Sequence, residues 1–329
     1  MWIFGSFPKD LAWLVLPGAL GILFAWTLPA ESTAQAGFLF AAFVLLDSGH
    51  VYTTLLRTYF HRAEVQSTRW YAALPFVVAA FFFTWAVLGI PYLWAFVIYA
   101  TLFHNIRQFY GVLRWYQKLE KNPRNSSRYF LYALTFGPVV LYHFRPGAQA
   151  GYYTARDIFL YPDALLYHWG LAAYAATLCA WVLSETAHAV RNKKCNWGSL
   201  LAIATPATLY GVCMLLGNSP AEILGPLVIA HGIGYFGLLS LSLQRTQPKR
   251  YARPWLALAA VVIIAWTCGP LEYYLEEHVI SFGGSSLTLS NVLPSLWIGL
   301  YLVPLFSHFI IDAYIWKGTH REAKLVYVK

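Results

Sequence analysis

Apolar runs of about eighteen residues or more recur along the chain from Leu11 to Trp316, each parted from the next by a short polar stretch. A run of that length is what an α-helix needs to cross roughly 30 Å of hydrocarbon. The pattern therefore predicts about ten spanning helices, near 10–28, 36–57, 70–90, 91–116, 129–145, 163–189, 198–217, 220–243, 254–275 and 289–316. No stretch between them is long enough for a soluble domain. The expected fold is all-α, a polytopic transmembrane helix bundle with residues 1–329 as a single domain, and any chemistry belongs in or at the membrane. Ala34-Gln35-Ala36 resembles a signal cleavage site, but the apolar region from Leu11 to Leu28 is longer than a signal core and Lys9 is offset by Asp10. We read this region as a first span.

Composition agrees with the pattern. Hydrophobic residues make up 59% of the chain and charged ones 11%, against roughly 25% charged in ordinary soluble domains. The net charge of +9 does not imply a nucleic-acid partner, because the basic residues cluster at the ends of apolar runs. Arg57/Arg62/Arg69, Lys118/Lys121/Arg124/Arg128, Arg191/Lys193/Lys194, Arg245/Lys249/Arg250/Arg253 and the tail from Lys317 all follow even-numbered spans. The positive-inside rule then puts both termini in the cytoplasm, as expected for a multi-pass protein of a bacterial inner membrane. Cys179, Cys195, Cys213 and Cys268 are widely spaced and suggest neither disulfides nor a thiolate site.

An ionisable group within a span is costly unless paired, so each one needs a partner or a purpose. In span two, Asp47, His50, Thr54 and Arg57 follow at intervals of three, four and three, on one helical stripe. Span four carries His104, Arg107, Gln108 and Gly111; span eight carries His231 and Tyr235; span ten carries His308 and Asp312. At about 1.5 Å per residue, the four histidines lie roughly 10 to 20 Å from their cytoplasmic ends, in overlapping layers. His143 and His168 map to the outer side and His278 to an external loop. Neutral imidazoles converging from several helices can satisfy a dication where water is scarce. The expected metal ligands are thus His50, His104, His231, His308, Asp312 and Asp47, with the carboxylates ligating or orienting a histidine. Arg107, Gln108 and Tyr235 are the candidate catalytic residues. Glu185 and His188, an ExxH pair, and His61 are further candidates. Gly232-x-Gly234-x-x-Gly237 fits a dinucleotide fingerprint only formally, since no strand precedes it, and is expected instead to let helices approach closely.

Histidines at 50, 104, 231 and 308 spread over separate spans resemble the integral-membrane iron oxygenases of the Brp/Blh carotenoid-cleaving type and, more distantly, the membrane fatty-acid desaturases and hydroxylases. The resemblance implies iron, mono- or dinuclear, a lipophilic substrate drawn from the membrane, and an electron-donor protein. The clustered histidine boxes of the desaturases are missing. The ceramidase and adiponectin-receptor superfamily is a second resemblance, implying zinc and hydrolysis; its HxxxH pair is absent here, where the i+4 partners are Gln108, Tyr235 and Asp312. A third expectation is a non-enzymatic protein that binds haem or relays ions or protons.

Overall fold

The computed structural model describes residues 2–121, 124–149, 157–276 and 292–317. Among them every regular element is helical. They are α1 (Phe7–Leu14), α2 (Leu16–Thr27), α3 (Thr33–Leu39), a π-helical segment (Phe40–Ser48), α4 (Gly49–Arg57), α5 (Arg62–Ser67), a 3-10 turn (Arg69–Ala72), α6 (Leu74–Val87), α7 (Leu93–Glu120), α8 (Asn125–Phe144), α9 (Ala164–Asn192), α10 (Trp197–Leu216), α11 (Pro220–Ile223), α12 (Gly225–Thr246), α13 (Pro254–Leu275) and α14 (Val292–Ile315).

Each expected span contains a helix, yet they are not equal. Among the described residues, six segments are long and apolar enough to cross a membrane, namely Thr33–Arg57, α9, α10, Pro220–Thr246, α13 and α14, and α1 with α2, bent by 41°, makes up to seven. The other three fall short for different reasons. Helix α6 has only 14 residues, about 21 Å, because its start is spent on a 3-10 turn and Gly89, at φ +61°, follows its end. Helices α7 and α8 are long, but polar residues such as Asn105, Arg107, Gln108 and Arg128 dilute their apolar runs.

The chain divides into two compact units. The first comprises Met1–Phe38 and Trp94–His231. In it α8 packs on α9 and α10, and α2 packs on α10 and α11. Local chemistry sets the ends of these helices. Asp163 caps α9 by accepting from the Leu165 and Leu166 N–H groups at 2.9 Å, and Lys193 ends that helix in the left-handed region at φ +48°. Arg145 donates to the Met214 carbonyl and to Asn218 Oδ1 at 2.9 and 2.7 Å, tying the end of α8 to the end of α10.

The second unit comprises Leu39–Leu93 and Gly232–Lys329. Here α14 packs on α6 and α4, and α13 lies against the π-helical segment and α4. Two glycines permit that last contact. A Cβ at Gly49 would fall 2.8 Å from the Ala265 carbonyl oxygen, and one at Gly269 would run into the backbone at Val44 and Gly49. Gly232 meets Leu46 in the same way, at 3.0 Å from its Cβ. The first glycine of the formal dinucleotide pattern is thus a close-packing position, as expected from sequence.

Candidate metal centre

In the second unit, α4 and α14 bring His50 and His308 together, their ring centroids 4.8 Å apart at 82°. The Tyr235 ring closes the group at 5.4 Å from His50 and 5.3 Å from His308. All three are buried, at 2%, 2% and 1% exposure. His50 Nδ1 lies 3.0 Å from the Leu46 carbonyl. Only a protonated Nδ1 can donate to a carbonyl, so Nε2 keeps its lone pair. The segment ahead of His50 is π-helical, a rare geometry that is frequent at functional sites, and Asp47 near its end lies 3.9 Å from His50 Nδ1.

The neighbours of His308 form a chain of hydrogen bonds. Thr54 Oγ1 is 2.7 Å from His308 Nδ1 and 2.7 Å from the Tyr235 hydroxyl. Tyr235 donates to Asp312 Oδ1 at 2.9 Å. Each hydroxyl has one proton, and an ionised carboxylate only accepts. With Asp312 ionised, Tyr235 spends its proton on it, Thr54 gives its own to Tyr235 or to Asp312 Oδ1 at 3.4 Å, and either way His308 Nδ1–H donates to Thr54. As at His50, protonation at Nδ1 leaves the Nε2 lone pair able to serve as a ligand. Asp312 Oδ1 lies 3.7 Å from His308 Nδ1, so in this arrangement it orients the imidazole through the hydroxyls.

Arg57, fully buried on the same helix, donates to Ser242 Oγ and lies 5.5 Å from the Trp316 ring centroid. Sequence reasoning noted Arg57 but passed over these two partners. Ser242 lies two turns beyond Tyr235 on α12, and Trp316 lies one turn beyond Asp312, so the helical period that found the histidines carried this signal too.

In the first unit, α7 and α12 bring His104 and His231 to a ring-centroid distance of 5.2 Å at 76°. His231 is fully buried and His104 half-buried. Gln108, one turn beyond His104, donates to the His231 carbonyl at 3.1 Å and so holds α7 to α12 beside the ring pair. Its Oε1 is buried without a hydrogen-bond partner.

The other candidates go elsewhere. Arg107 is exposed and donates to the Tyr132 hydroxyl at 2.7 Å. Glu185 pairs with Arg124 at 2.8 Å, and His188 lies 3.1 Å from Asn192 Nδ2. His61 stands at the start of α5. His143 and His168 bond to main-chain carbonyls of Phe159 and Ala164, while His278 lies outside the described residues. No family model, curated protein or solved structure matches the chain.

Proposed function

We propose that His50, His104, His231 and His308 hold one iron ion, and that the protein is a membrane-embedded iron-dependent oxygenase or desaturase acting on a lipophilic substrate near the cytoplasmic leaflet. The observation that carries this reading is that the four histidines form two inward-facing pairs, one in each unit, His50 with His308 at a ring-centroid distance of 4.8 Å and His104 with His231 at 5.2 Å. Imidazole suits iron, copper and zinc. Zinc with four protein ligands is a closed, structural site, whereas catalytic zinc keeps a position open. Iron accepts up to about six ligands, so four imidazoles leave room for oxygen or substrate. This favours oxidation over the hydrolysis of a ceramidase-like enzyme.

Bound there, iron would supply oxygen activation, with reducing equivalents from an electron-donor protein. The chain's own residues set the conditions for it. Leu46 and Thr54 fix two imidazoles with Nε2 unprotonated, Asp312 anchors the Thr54–Tyr235 pair, and Gln108 holds α7 to α12 beside His104. We place ten spans in a bacterial inner membrane with both termini cytoplasmic, counting α6, α7 and α8 among them. The alternation of basic loops supports this arrangement.

Elemental analysis of the detergent-purified chain tests the assignment. The expected result is about one iron per chain without haem absorbance. Stoichiometric zinc, a Soret band, or no metal after purification without chelators would each overturn it.

A further inference from the structure

Arg107 lies in the middle of α7, in a stretch expected to cross the membrane, and it is exposed. A guanidinium facing lipid needs a counter-charge. Among the described residues its contacts are neutral, namely the Tyr132 hydroxyl at 2.7 Å and the Tyr110 ring at 4.9 Å. The acidic residue on its own helix, Glu120, lies thirteen residues further on, roughly 20 Å along the axis. Glu120 accepts from the Gly198 N–H and from Ser199, and Glu185 pairs with Arg124.

From this cation a row of rings runs along the seam between α7 and α8. Tyr110 and Tyr132 stack at 5.5 Å, Tyr132 and Phe136 at 5.8 Å, and Phe136 and Phe103 at 6.2 Å, with interplanar angles of 24° to 26°. Phe103, at the far end, is 52% exposed, and the other three are half-buried. At the near end Arg128, exposed in the first turn of α8, donates to the Tyr129 hydroxyl at 2.6 Å and adds a second positive charge on the side of Tyr110 and Tyr132. The combination is a charged socket opening onto a flat apolar track.

We propose that this seam binds an anionic phospholipid, its phosphodiester held by the Arg107 guanidinium and the Tyr132 hydroxyl and one acyl chain lying along the rings toward Phe103. Two free phosphoryl oxygens match the fork of a guanidinium. Arg128 faces the outer part of the headgroup, a reach that a fatty-acid carboxylate lacks, and the acyl chain covers the exposed ring faces. The site stands independently of the metal assignment, and either can fail alone.

Native mass spectrometry of the full chain in mild detergent tests it, with dioleoyl-phosphatidylglycerol, dioleoyl-phosphatidylcholine and oleic acid offered at equal concentration. The wild type is expected to retain phosphatidylglycerol over phosphatidylcholine. Arg107→Gln should cut that preference about tenfold, the scale of one lost charge-assisted hydrogen bond. Tyr132→Phe should cut it less, and Arg107→Lys should restore part of it. Unchanged preference in Arg107→Gln, equal retention of phosphatidylcholine by the wild type, or tighter retention of oleic acid would each overturn the proposal. Metal content on the same samples should be unchanged, which separates loss of the lipid from loss of the metal centre.

Discussion

Thr54 illustrates how one atom decides a site. Helix α4 and its end carry three threonines: Thr53 bonds back to the His50 carbonyl at 2.6 Å and Thr58 to the Thr54 carbonyl at 2.8 Å, the ordinary local habit of a helical hydroxyl. Thr54 instead reaches across to Tyr235 and His308. Thr54→Val keeps the shape and removes the hydroxyl, so His308 loses the acceptor that fixes its tautomer. Metal affinity is expected to fall roughly 10- to 100-fold, as measured by chelator competition, and Thr54→Ser should recover most of it. His104→Ala and His308→Ala should each lower bound iron while the protein stays folded and inserted; unchanged iron in both would remove those residues from the centre. The histidine positions were readable in the sequence because a helix repeats its faces at a known interval. The choice of Thr54 over its two neighbours was not, since all three have the same side chain and differ only in what stands opposite.

At the scale of helices, the contact of α13 with the π-helical segment and α4 rests on the absence of side chains. Gly269→Ala would place a methyl group against backbone at Val44 and Gly49, which cannot rotate away. A loss of about 1–3 kcal/mol is expected from such overpacking, seen as a lowered melting temperature in detergent. Gly111, with nothing within 4 Å of its would-be Cβ, is the control: Gly111→Ala should be neutral or stabilise by up to about 1 kcal/mol. Hydropathy located α13 and the span from Thr33 to Arg57 well. It was blind to the π-helical winding of Phe40–Ser48, because a change in hydrogen-bond register leaves composition untouched. It also overcounted the length of α6, where Gly89 and the 3-10 turn trim an apolar stretch that hydropathy treats as continuous.

For the molecule as a whole, the proposed topology is tested by a natural reporter. Cys195 sits between α9 and α10, outside the apolar spans, in a loop that the charge pattern assigns to the cytoplasm. With the other three cysteines replaced by serine, a membrane-impermeant maleimide should label it in inverted vesicles and not in right-side-out ones. Burial first, then the Glu185 and Glu120 carboxylates, hold this thiol above its ordinary value of 9.0. The reactive thiolate is therefore scarce at neutral pH, and labelling should still be accelerating as pH rises past that value. The helical class and the presence of long apolar helices were legible in the length and spacing of the apolar runs. The division into two compact units was not, since it depends on which apolar faces meet, and every apolar face looks alike in sequence. Within the second unit, Thr54 Oγ1 lies 2.7 Å from His308 Nδ1, 2.7 Å from the Tyr235 hydroxyl and 3.4 Å from Asp312 Oδ1. One oxygen on α4 thus clasps α12 and α14 together, so a shift of any one of these three helices would be felt at the His308 ring.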